Sequence, residues 1–163
     1  MKREILTGVA AGAAGTTALN AVTFLDMALR ARPASTTPDD TVRKAEDLAG
    51  VSLSKHGPDS DAASNRRSAL GALVGIAAGL STGAVYGLLR PRLGRAPLGL
   101  LGTGAGVLAN VATTGPMAAL GITDPRTWPA DSWVSDLIPH LAYGFATAAV
   151  WDLMQPPRRR LLL

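Results

Sequence analysis

Along this chain apolar residues gather into four long blocks, and the charges collect in the short stretches between them. Residues 5–29 include a single charge, Asp26, while residues 68–89 and 96–122 include none. Residues 133–154 carry only Asp136 and Asp152, one towards each end. A helix rises about 1.5 Å per residue, so roughly 20 such residues cross a hydrocarbon core of about 30 Å. The pattern predicts an all-α fold: a polytopic membrane protein with four transmembrane helices in two hairpins. The 163 residues make one membrane domain. The first run exceeds a signal-peptide core of about 7–15 residues, and no small-x-small cleavage pattern follows before Pro33, so it reads as a retained helix.

Residues 33–67 are the one sizeable segment outside these blocks. Thr37 is placed to cap a helix with Pro38 at its first position and Asp39-Asp40 in its first turn. That short amphipathic helix would set Val42, Ala45, Leu48 and Ala49 on one side, stop at Gly50, and lie at the membrane surface. A second turn signal, His56-Gly57-Pro58-Asp59, precedes the polar run into the second block.

Composition narrows the function. Hydrophobic residues make up 47% of the chain, yet mean hydropathy is only +0.20, because Gly, Ala and Thr take places where Leu and Ile would serve a lipid-facing helix. No cysteine is present, which excludes disulfides, thiolate metal sites and thiol nucleophiles. The net charge of +4 comes from bases beside hydrophobic ends: Lys2-Arg3, Arg90, Arg92 and Arg95, and Arg158-Arg159-Arg160. Such positions suit anchors to lipid phosphates, and without a motif or interleaved aromatics they do not point to nucleic acid. Residues 33–67 hold six acids and five bases, too balanced to orient the protein. The shorter segments place both termini and the 90–95 turn in the cytoplasm, since the 123–132 loop has only Arg126. Trp128 and Trp133 then belong to an outer aromatic belt and Trp151 to the inner interface.

The second block carries Gly71, Gly75, Gly79, Gly83 and Gly87, a glycine at every fourth residue. A step of four advances a helix by about 400°, so these positions form a groove without side chains that winds slowly around it. Each glycine costs about 1 kcal/mol of helix propensity relative to Ala in water, so five in register need an offsetting contact. The partner is either another helix of this chain or a second copy of it. The first block (Gly8, Gly12, Gly15) and the third (Gly99, Gly102, Gly104, Gly106) both offer matching faces. Pairing residue n with n+90 aligns Gly12, Asn20 and Thr23 with Gly102, Asn110 and Thr113, as two hairpins forming a parallel repeat would.

Polar side chains at membrane depth are expensive, which makes them the functional candidates. They are Asn20, Asp26, Asn110, Asp136, His140 and Tyr143. Asp136, His140, Tyr143 and Thr147 share one helix face, and Pro139 frees the carbonyl of Ser135 for His140 or a water. An Asp–His pair with Tyr beyond it has the parts of a proton relay, since histidine changes charge near neutral pH. The same groups serve equally as bonds between helices. Asp26 is spaced to pair with Arg30, and Asp152 lies near the arginine tail. No metal site or cofactor is expected, because Asp136 and His140 supply two ligands where three or four must converge. The glycines of 102–106 lie inside an apolar block with no preceding strand, unlike a dinucleotide-binding turn, and no nucleophile–base pair stands out.

Pro116-Met117, Leu120-Gly121-Ile122-Thr123, Pro125, Trp128, Ser135, His140-Leu141 and Gly144 together resemble the YagU-like family of small bacterial inner-membrane proteins, over residues 97–154. The resemblance implies a multi-pass protein of the bacterial cytoplasmic membrane and draws attention to His140, without implying a reaction. The expected function is that of a non-enzymatic structural or accessory subunit, packed through glycine faces against lipid and a homo-oligomeric or other membrane partner. The alternative is a small oligomeric channel or proton-linked transporter using Asp136 and His140.

Overall fold

A computed structural model describes residues 1–156; the Arg158-Arg159-Arg160 anchor lies outside the described residues. It contains five α-helices and, among the described residues, no strand. They are α1 (Lys2–Arg30), α2 (Thr37–Ala49), α3 (Asp61–Leu89), α4 (Leu98–Ala119) and α5 (Ala130–Leu153). A single 3-10 turn, Arg90–Leu93, leads out of α3, and another, Pro125–Thr127, precedes α5.

Two of these helices, not four, are long and apolar enough to cross a membrane: α1, and α3 continued through Leu93. The helix α4 is charge-free and has 22 residues, so what it lacks is hydropathy. Its glycines, threonines and Asn110 dilute the leucines. α5 carries Asp131, Asp136 and Asp152. Element limits also move: α3 begins seven residues before Ser68, α4 stops short of Leu120–Ile122, and α5 starts ahead of Trp133 at Ala130.

Successive long helices run antiparallel, as Gly8 against Gly87 and Gly12 against Gly83 show for α1 and α3. α1 packs on α3 and α5, and α5 packs on α1 and α4; the contact of α3 with α4 is the slightest of the four around the ring. Glycine sets the spacing. A Cβ on Gly83 would lie 2.5 Å from the Cα of Gly12, and one on Gly87 would lie 2.9 Å from the Cα of Gly8. The α4–α5 seam repeats the device, with Gly144 against the backbone of Gly102 and Gly106. On the stripe of α3, Gly79 faces Thr16 of α1, Gly71 faces Pro38 of α2, and Gly75 has nothing within 4 Å. Backbones this close gain dispersion and Cα–H···O contacts that any side chain would prevent.

The interior is accordingly made of small residues around few large ones: Ala11, Ala105, Ala109 and Ala148 beside Tyr86, Leu101, Tyr143 and Trp151. Trp151 is buried at 4% exposure, edge-on to Tyr86. Large aliphatic and aromatic side chains point outwards, with Leu6 69%, Phe24 63%, Leu73 60% and Leu100 65% exposed.

The short helix α2 forms where expected but presents a different face. Val42 and Glu46 are buried against α3, while Leu48 and Ala49 are exposed. An ion pair explains the choice: Glu46 Oε2 accepts from Arg67 Nε at 2.5 Å and Glu46 Oε1 from the Leu53 N–H at 2.8 Å. Ser35, not Thr37, supplies the oxygen near the start of α2, accepting from the Thr37 N–H. Gly50 ends the helix in the left-handed region at φ 64°, donating its N–H to the Asp47 carbonyl.

Candidate functional site

Three of the six candidate polar residues meet where α4 faces α5. Gly106 allows the contact: a Cβ there would stand 2.7 Å from the His140 carbonyl oxygen, so α4 and α5 touch backbone to backbone. One turn on, Asn110 reaches across the seam and its Nδ2 donates to Asp136 Oδ2. His140, whose own carbonyl faces Gly106, sets Nδ1 2.7 Å from the Asp136 carbonyl oxygen and 3.6 Å from Asp136 Oδ1. Its Nε2 lies 3.4 Å from Thr113 Oγ1.

These contacts constrain the protons. A carbonyl only accepts, so Nδ1 carries a hydrogen, and the Asn110 amide at 3.5 Å from Nδ1 serves the carboxylate instead. Thr113 Oγ1 lies 3.0 Å from the Ala109 carbonyl and 3.1 Å from that of Asn110. While its hydrogen points there, Thr113 can only accept from Nε2, which needs the imidazolium. With Nε2 bare, the hydroxyl has to turn towards the ring. The ring and the Thr113 hydroxyl are thus coupled through Nε2: which of the two donates decides where the hydroxyl hydrogen points. His140 engages the carbonyl of Asp136, not the Ser135 carbonyl freed by Pro139.

The other candidates lie apart. Asp26 closes the same end of the bundle, chelated by Arg30 Nε at 2.7 Å and Nη2 at 2.9 Å and by Arg32 Nε at 2.5 Å. Arg30 Nη2 also donates to Ser135 Oγ, tying the end of α1 to the start of α5 beside Asp136. Tyr143 is 1% exposed and donates to the Gly79 carbonyl of α3 at 2.6 Å, away from His140's bonded partners. Asn20 is exposed and joins no cluster. Asp152 pairs with Arg90 Nη2 at 2.9 Å, in the 3-10 turn after α3. Among the described residues no three histidine or carboxylate side chains converge as metal ligands would.

Sequence reasoning missed Thr113 as the partner of His140, Arg32 and Ser135 around Asp26, and the Glu46–Arg67 pair. Thr113 was findable: it follows Gly106 by seven residues and Asn110 by three, the spacing of one helix face. No local pattern announces Glu46–Arg67, which are 21 residues apart. Where α2 docks on α3, Arg67 first and the Leu53 N–H second hold the Glu46 carboxyl below its ordinary range. Arg126 does the same for Asp124.

No protein-family model matches this chain, and no curated protein or solved structure shows significant similarity to it.

Proposed function

We propose that this chain is an integral membrane protein whose four long helices lie together in the bilayer, acting as a non-enzymatic structural or accessory subunit. One observation carries the reading. The bundle turns its large apolar side chains outwards and keeps glycine, alanine and threonine inside, the reverse of a protein folded in water. Only 28% of the apolar window of α1 and 22% of that of α3 is buried inside the protein. Core helices of a water-soluble domain would be mostly buried. At about 33 and 36 Å, α4 and α5 have the length to span beside them despite lower hydropathy, their glycine seam facing inwards. The reading places the protein in a bacterial cytoplasmic membrane, with both termini on the cytoplasmic side. The likeness to the YagU-like family rests on the residue pattern of 97–154 alone.

Washing membranes with alkaline carbonate tests the placement: the chain stays in the pellet, and release without detergent overturns it. Native mass spectrometry of the detergent-extracted protein tests the role. A mass above the 16.7 kDa of one chain supports a subunit or homo-oligomer, and a bare monomer counts against both.

The Asn110–Asp136–His140–Thr113 cluster favours a second reading, a proton-linked channel or transporter. In proteoliposomes, His140→Ala would then abolish a pH-driven flux that the parent protein supports. Equal flux from both refutes it.

A further inference from the structure

Where α2 docks on the start of α3, the loop between them borders an open surface pocket of 410 Å³. Lys55, His56 and Arg66 line it, together with Ser52 and Ser54; no carboxylate lines it. Among the described residues none of the three bases has a carboxylate partner. Asp59 and Asp61 are close in sequence, yet neither lines the pocket nor pairs with these bases.

The walls are held in place by bonds that leave the cations available. Glu46 grips the loop through the Leu53 N–H at 2.8 Å, and Arg67 Nη1 donates to the Pro58 carbonyl at 2.7 Å. Ser54, itself 7% exposed, accepts from the His56 N–H at 3.1 Å and from Ser60 Oγ at 2.9 Å. Arg66 spends Nη1 on the Leu53 carbonyl, which orients a guanidinium that has further donors on its fork. Lys55 spends nothing on the fold. Two cations and an imidazole beside the Ser54 hydroxyl, on a framework already bonded, match an oxygen-rich anion of small size. The position says which anion is at hand: Arg66 and Arg67 stand immediately before the charge-free run from Ser68, at the depth of lipid headgroups.

We infer that the pocket formed by Ser52, Ser54, Lys55, His56 and Arg66 binds a phosphate group, presented by an anionic lipid or free in solution. Only the lipid source rests on the membrane reading, which carbonate extraction tests separately.

The test uses the full chain in a nonionic detergent, with binding of short-chain phosphatidic acid and of inorganic phosphate followed by thermal shift and native mass spectrometry. Lys55→Gln and Arg66→Gln each weaken binding by about tenfold, the scale of one lost charge-assisted hydrogen bond. Arg43→Gln with Lys44→Gln, which removes charge from α2 outside the pocket, leaves it unchanged within about twofold, the scale of exposed charge. Lys55→Gln keeps the test decisive if Arg66→Gln loosens the loop. Loss with phosphatidic acid alone identifies a lipid headgroup, and loss with both ligands identifies phosphate itself. Equal weakening by the α2 pair, or no binding of either ligand by the parent protein, overturns the inference.

Discussion

Replacing Gly83 by alanine puts a methyl group 2.5 Å from the Cα of Gly12 and against the Gly8 carbonyl. Ordinary carbon–carbon contacts begin nearly 1 Å farther out, so α1 and α3 must part by about that distance. Both obstacles are backbone, which cannot rotate away as a side chain end would. Overpacking of this kind costs about 1–3 kcal/mol, and the rigid neighbours put Gly83 at the upper end. Alanine recovers about 1 kcal/mol of helix propensity, leaving a net loss of about 2 kcal/mol. Gly75 lies two turns away on the same stripe and has nothing within 4 Å. There the propensity gain stands alone, so Gly75→Ala stabilises by about 1 kcal/mol. One chemical change on one helix thus has opposite signs at two positions, about 3 kcal/mol apart. Equilibrium unfolding in mixed detergent and SDS micelles, followed by far-ultraviolet circular dichroism, reads both. If Gly75→Ala destabilises as much as Gly83→Ala, the stripe contacts a second copy at Gly75 and the intramolecular account fails.

Asn110→Ala removes the amide from Asp136 Oδ2, and the same unfolding assay should show a loss of about 1 kcal/mol. Tyr143→Phe keeps the ring but not the bond to the Gly79 carbonyl, for a loss of about 1 kcal/mol; an unchanged midpoint would mean the bond contributes nothing net. Because Arg67 holds the folded Glu46 below its ordinary value of 4.5, the docking of α2 is at full strength above that pH. It weakens as pH falls through the lower folded value, so hydrogen exchange over residues 37–54 should quicken in acid, and Glu46→Gln should remove that pH dependence. Gly106→Ala pushes α5 from α4, so combined with Asn110→Ala it should cost less than the two changes summed, by about 1 kcal/mol; strict additivity would separate the seam from the cluster.

The four long helices were legible because blocks of this length with at most two charges have few other uses, and the turn at 90–95 stood out as three bases between two charge-free runs. Which helices qualify as spans was not legible from charge alone. α4 is free of charge, yet its Gly, Thr and Asn content makes it less apolar than its length suggests. The face of α2 was misread for a related reason. Val42, Ala45, Leu48 and Ala49 form a plausible apolar stripe, but the buried ion pair of Glu46 with Arg67 turns the helix so that Leu48 faces outwards. Period alone cannot foresee a partner 21 residues away. At the polar site, spacing placed Asp136 and His140 on one face of α5, while the residue across the seam had to wait for the register of α4. Tyr143 shares their face by spacing, and packing sends its hydroxyl to α3.

Glycine and polar chemistry are not separate features here, because one makes the other possible. An asparagine side chain is short, and helices spaced by leucine would hold Asn110 beyond the reach of Asp136. On α4 the order is Gly102, Gly106, Asn110, Thr113; on α5 it is Asp136, His140, Gly144. Read antiparallel, the glycines of one helix lie against those of the other, and one turn further along the polar groups do the same. The close approach fixed at Gly106 and Gly144 therefore sets the distance at which Asn110 and Thr113 meet Asp136 and His140. The α1–α3 seam has the same glycine contacts without a polar cluster at its end, for Asn20 is exposed. Close packing alone thus does not require these polar groups. Their confinement to the α4–α5 seam, next to the Asp26–Arg30–Ser135 tie, makes that end of the bundle the place to look for a function beyond assembly.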